Sequence, residues 1–249
     1  VVLHMGHTWQ VALGAVFISA VCFFLLSIFR IREWIINSIP LPLRSAIAAG
    51  IGLFLALIAL HNAGIVVSNP ATMVGLGDLK QPAPILATLG FALIVALEAL
   101  AVRGAVLIGI LVVTIASIAL GFTPFGGVMS MPPSLAPTFL QLDIKGALDI
   151  GLFSVIFAFL FVDLFDNSGT LIGVAKRAGL MGKDGHMPKM GRALIADSTA
   201  AMAGSLLGTS TTTSYIESAA GVSAGGRTGL TAVVVAVLFL LALFFSPLA

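Results

Sequence analysis

Hydrophobic positions along this chain come in long unbroken runs, and the polar positions collect in short stretches between them. A helix needs a window of about 20 apolar residues to cross the hydrocarbon core of a bilayer. Such windows predict spanning helices over 11–29, 45–67, 85–101, 105–122, 147–165 and 229–245. Residues 193–225 are rich in Ala, Gly, Ser and Thr and read as two shorter passes. That makes roughly eight crossings.

Composition turns this pattern into a class. Hydrophobic residues are 59% of the 249 and charged residues 9%, and the mean hydropathy is +1.16. A soluble domain carries about 25% charged residues, so no single core could hide this much apolar surface from water. The fold class expected is an all-α, polytopic integral membrane protein, multi-pass in the cell membrane with the lipid bilayer as solvent. The net charge is only +2. Its basic residues lie in short loops rather than on one face, so a nucleic-acid partner is not expected. Cys22 is the single cysteine, which excludes an internal disulfide, and it reads as a small buried hydrophobe. The chain starts at Val1 and stops at Ala249 directly after an apolar run, and reads as a fragment of a longer protein.

Loop charge sets the expected orientation. Arg30, Arg32 and Arg44 follow the first run, Arg103 the third, and Lys176, Arg177, Lys183, Lys189 and Arg192 the fifth. The alternate loops, 68–84 and 123–146, hold only Lys80 and Lys145 as basic residues. By the positive-inside rule the odd-numbered spans end in the cytoplasm. Residues 123–146, with four prolines, then form an external linker and a seam between two halves.

Ionisable groups inside membrane spans are expensive and mark functional positions. The candidates are Glu98, Asp163, Asp166 and Glu217, with His61 and Asn62 beside them. At a spacing of i, i+3, Asp163 and Asp166 share one helix face. The helix has to continue to Lys176 and Arg177, which places both carboxylates deep in the membrane, a setting suited to taking up and releasing a proton. One of them could equally serve only to hydrogen-bond a neighbouring helix. Glu217 ends a run of hydroxyl and β-branched residues, 209–216, that favours extended backbone over helix. Ser214 and Glu217 fit a capping box opening a short helix that ends at Gly225 and Gly226. Free N–H groups at that helix start, beside the Glu217 acceptor, match the donor–acceptor edge of a flat heterocycle. Tyr215, the only tyrosine, can stack on such a ring or serve only as packing. Glu98 reads as a snorkelling structural charge, His61–Asn62 as a helix–helix hydrogen bond, and Asn69–Pro70 with Gly75 and Gly77 as a turn. No phosphate loop, zinc-ligand spacing or nucleophile–base motif is present, so an enzyme is not expected.

Three stretches carry a family resemblance: NAGIVVSNPA at 62–71, FVDLFDNSGTLIG at 161–173, and GTSTTTSYIESAAG at 208–221 followed by GGRTG at 225–229. They resemble the nucleobase–cation symporters, and within them the adenine/guanine/hypoxanthine permease branch. The resemblance implies a fold of fourteen spans in two inverted seven-span repeats, of which this chain holds about spans four to eleven. Residues 1–122 would end the first repeat, 123–146 link the two, and 147–249 start the second.

It also implies a role for particular residues. Asp166 and Glu217 contact a purine base, Tyr215 lies beside it, and Ser214 and Ile216 line the same segment. Asn167, Gly169 and Thr170 support Asp166, Thr170 standing where the related uracil permease has a histidine. Asp166, Asp163 and Glu217 are the candidates for proton coupling. The function expected is import of a purine nucleobase with a proton and no cofactor, sodium being left open as the coupling ion and a homodimer left open as the assembly. The alternatives are a transporter of another small solute on the same fold, or a cation channel with its carboxylates as a selective ring.

Overall fold

A computed structural model describes residues 2, 6–148, 153–183 and 185–248. Ten helices and one two-stranded hairpin organise it: α1 (Trp9–Ile28), α2 (Ile31–Ser38), α3 (Leu41–Asn62), β1 (Val66–Asn69), β2 (Met73–Leu76), α4 (Pro82–Ala99), α5 (Ala105–Ala119), α6 (Ile144–Ala147), α7 (Phe153–Ala178), α8 (Met190–Leu207), α9 (Ser218–Ser223) and α10 (Gly229–Ala242), with a 3-10 turn Leu243–Leu248 at the end. Five of the described helices are long and apolar enough to cross a membrane, and α5 is a shorter apolar helix. The protein is a multi-pass helical membrane protein.

The chain divides into two compact units, one of 1–51 with 133–228 and one of 52–132 with 229–249, so the boundary falls inside α3. Each unit draws on two separate stretches of the chain.

In the first unit α1 packs along α8 and also meets α7, and small residues allow the approach. Ala15, Ser19 and Ala20 are buried on α1, and Ala201 and Ser205 on α8. In lipid, helices associate through close packing of this kind rather than through hydrophobic exclusion. Between α7, α8 and α2, the side chains of Ile172, Met190, Leu194 and Ile36 form a small core. Helix α7 is 26 residues long, about 39 Å at 1.5 Å per residue. It continues to Lys176 and Arg177 in its last turn, as expected. It starts later than the expected 147–165 window, whose positions 149–152 lie outside the described residues.

Helix α8 ends at Gly208, whose φ of 94° is a left-handed C-cap. The segment from the Pro-rich loop closes this end: Thr138 Oγ1 donates to the Leu207 carbonyl at 3.0 Å and the Leu140 N–H to Leu206 at 2.9 Å. Past Gly208 the chain runs without helix or ladder to Glu217, then forms the six-residue α9. Of the two passes expected over 193–225, only the first is a helix of membrane length.

In the second unit, α4 and α5 pack where Gly90 faces Val113 and Gly109 faces Ile94. The expected span 45–67 stops at Asn62 because Gly64 takes a φ of 73° and Ile65–Val66–Val67 is β-branched. Strands β1 and β2 pair antiparallel, Val66 opposite Leu76 and Asn69 opposite Met73. Asn69 makes the turn, its Oδ1 accepting from the N–H of Ala71 at 2.8 Å, whereas Gly75 lies in β2. Helix α10 has no buried residue, as suits a helix facing lipid.

Candidate functional site

The site is built on the middle of α7. Asp163 and Asp166 are its eleventh and fourteenth residues of 26, near the middle of the helix. Both are half-buried, whereas Asn167, Gly169 and Thr170 are buried in the same turn. Gly169 faces Ile47 and Ile51 of α3. Ser168 turns inward, its hydroxyl donating to the Leu164 carbonyl.

The extended segment brings Glu217 to α7. Ile216 lies against Gly173, where an added Cβ would come within 3.1 Å of the Ile216 Cδ1. One turn further, Arg177 Nε donates to Ser223 Oγ at 3.0 Å. Segment 216–223 is thereby held along the second half of α7, and Glu217 stands within electrostatic reach of Asp166. Glu217 and Tyr215 are exposed, Tyr215 at 60%, while Ser214 and Ile216 are half-buried. Two carboxylates thus belong to neighbouring segments of the first unit, with a ring and irregular backbone next to the second.

The helix start differs from the expected capping box. Helix α9 begins at Ser218, after the expected position, and Glu217 is its N-cap residue with helical φ and ψ of −59° and −21° and no side-chain cap bond. The first N–H groups are already taken: Ser218 donates to Tyr215, Ala219 to Ile216 and Ala220 to Glu217, at 3.2, 2.9 and 2.9 Å. A tight turn over 215–217 supplies the acceptors for the first three N–H groups of α9, so the helix itself starts with its donors spent. The Glu217 carboxylate is therefore free of a capping role, and donors for a ligand have to come from the extended backbone before it. The C-terminal end agrees with expectation, since Gly225 has a φ of 109° and the Gly226 N–H reaches the Gly221 carbonyl at 2.9 Å.

Asp163 faces a different neighbour from Asp166. Arg32, counted above among the loop charges, is fully buried. Its Nη1 donates to Asp197 Oδ2 at 3.3 Å and to Ser198 Oγ at 3.2 Å, its Nη2 reaches the same Asp197 oxygen at 3.4 Å, and Nη2 lies 3.8 Å from Asp163 Oδ2. The guanidinium also sits over the Phe23 ring, 4.2 Å from its centroid. Burial lowers the Arg32 pKa, and Asp197 and Asp163 pull it back up; a guanidinium keeps its charge in either case. Asp197 accepts in addition from Thr213 Oγ1 at 3.4 Å, which ties the extended segment to α8. Asn167 borders Asp197 without reaching hydrogen-bond geometry, and both its amide atoms are buried without a partner.

Arg32 and Asp197 are the residues that sequence reasoning missed. The signal available was Asp197 itself, an acid in a small-residue stretch, which at membrane depth demands a partner. Glu98, His61 and Asn62 are exposed near the ends of α4 and α3, and Cys22 is half-buried. Among the described residues, no group of three His, Cys, Asp or Glu side chains could hold a metal ion.

Comparison with known proteins gives the family. The family model Xan_ur_permease, described as Permease family, matches residues 2–249. The chain is 49% identical to the adenine permease AdeQ of Escherichia coli (strain K12) over 244 residues, 98% of this chain and 55% of that protein. It is 49% identical to the adenine permease AdeP of the same organism over 249 residues, 100% of this chain and 56% of that protein. Against the guanine/hypoxanthine permease PbuG of Bacillus subtilis (strain 168) it is 46% identical over 244 residues, 97% of this chain and 55% of that protein. The chain spans about half the length of the curated relatives it matches.

Proposed function

The chain belongs to the permease family, and on that premise we propose that the protein it is part of imports a purine nucleobase by proton symport. The observation that carries this reading is Asp166, near the middle of α7, with Glu217 at the end of an extended segment whose continuation is held along the same helix through Ile216 and Ser223. A purine presents ring and exocyclic N–H groups along its edges, and carboxylate acceptors bind such donors with charge-assisted hydrogen bonds. Tyr215 offers a face for the ring, and the backbone of 209–216, in neither helix nor ladder, offers donors to the ring nitrogens and oxygens. Ser214 and Ile216 shape the wall, and the buried turn Asn167, Gly169 and Thr170 holds Asp166 in place. Paired acids fit a neutral base carrying N–H groups and disfavour an anion.

Relatives that carry adenine in one case and guanine or hypoxanthine in another support the purine class. Proton coupling suits carboxylates at this depth, which can neutralise by taking up a proton. No enzymatic step enters the reading. The test is uptake of radiolabelled adenine, guanine and hypoxanthine by cells expressing the full-length parent, with and without a proton uncoupler. Saturable uptake abolished by the uncoupler is expected. Absence of purine uptake by a protein folded in the membrane would overturn the substrate class, and uptake indifferent to the uncoupler would overturn symport.

A further inference from the structure

Asp163 and Asp197 share a single guanidinium, and the count of charges does not close. With all three groups ionised the cluster carries one net negative charge. It does so where Arg32 is 0%, Asp163 12% and Asp197 4% exposed. An uncompensated charge in such surroundings is disfavoured, and one proton on one carboxyl removes it.

The geometry distinguishes the two acids. Asp197 is committed, taking both Nη groups of Arg32 and the Thr213 hydroxyl. Asp163 stands 3.8 Å from the guanidinium, outside hydrogen-bond distance. It also lines a narrow cleft of single-water size with Ser19, Phe23, Ala201 and Thr211. Asn167 supplies an independent sign that this place is polar. One helical turn beyond Asp163, it is 0% exposed with neither its amide oxygen nor its nitrogen partnered. The charged groups facing Asp163 are Arg32 from α2, Asp197 from α8 and Asp166 on its own helix, while α1 presents the uncharged Ser19 and Phe23.

We propose that Arg32, Asp163 and Asp197 form the proton site of the transporter, with Asp163 as the carboxyl that takes up and releases the transported proton. The proposal rests on the symport reading above and divides its labour: Asp166 and Glu217 hold the base, and the Arg32 cluster holds the proton. In the loaded state Asp163 is a neutral acid beside an Arg32–Asp197 ion pair. On release the proton leaves through the cleft and Arg32 faces two carboxylates.

The experiment uses the full-length parent in proteoliposomes, comparing accumulation of labelled purine driven by an imposed pH gradient with exchange of external labelled for internal unlabelled purine. D163N, which mimics the loaded state, is expected to lose accumulation while exchange persists and becomes independent of pH. D197N leaves Arg32 and Asp163 as a one-to-one pair that favours the ionised acid, so its accumulation profile is expected to move toward acid by about one pH unit or more. Intact accumulation in D163N overturns the proposal, and loss of exchange together with accumulation overturns it as well, by placing Asp163 in the base site or the fold. If D163N does not reach the membrane, an unshifted profile in D197N overturns the proposal by itself. A parent that exchanges purine yet shows no proton-driven accumulation overturns symport and this site together, whereas coupled transport in the parent with coupled D163N overturns the site alone.

Discussion

Replacing Arg32 by leucine isolates the energetics of the first unit. The guanidinium is fully buried, 3.3 Å from Asp197 and 3.8 Å from Asp163, attractions on the order of 5 and 4 kcal/mol at an effective dielectric of about 20. Desolvation of the three ions takes back most of that gain, so the cluster as a whole adds little net stability. Removing only the cation is another matter: the carboxylates keep their desolvation cost and lose their partner. R32L is expected to destabilise by about 3–5 kcal/mol, with roughly 1 kcal/mol more from the lost contact over Phe23. The triple variant R32L/D163N/D197N removes every charge and is expected to recover most of the loss. The assay is thermal unfolding of the detergent-purified full-length parent, followed by the fraction still monodisperse after heating. A single variant as stable as the parent, or a triple variant no better than the single, would refute the reasoning.

The remaining predictions concern the base site and its supports. D166N and E217Q each remove an anionic acceptor worth about 1.5–3 kcal/mol, so the apparent affinity for purine should fall by about 10- to 100-fold; normal uptake in either variant would discard that residue from the site. At Gly204 an added side chain would collide with Thr212 Oγ1. G204V is therefore expected to displace the extended segment and weaken purine binding measured by calorimetry, at a cost of about 1–3 kcal/mol. Gly221 has nothing within 4 Å of a built Cβ, and G221A serves as the control with binding unchanged. In the second unit, G109L drives a side chain into Ile94 and should lower thermal stability by about 1–3 kcal/mol; an unchanged unfolding midpoint would show that α4 and α5 do not pack as described.

What could be read from the sequence was whatever depends on neighbours along the chain. Apolar runs located the long helices, since crossing lipid requires a local, continuous stretch. Lys176 and Arg177 marked the end of α7, and from them the place of Asp163 and Asp166 near the middle of that helix followed. The break before Glu217 was legible because hydroxyl and β-branched residues disfavour helix wherever they occur in a row. The start of α9 lay beyond sequence reasoning, because a capping box and a tight 215–217 turn draw on the same residues and only coordinates show which N–H groups are spent. The partner of Asp163 was beyond it too. Arg32 and Asp197 stand 165 positions apart, and in sequence one looks like a loop cation and the other like a stray acid among alanines. Their meeting depends on how α2 packs against α7 and α8. A buried charge states only that it needs an opposite charge, and the tertiary structure decides which one it gets.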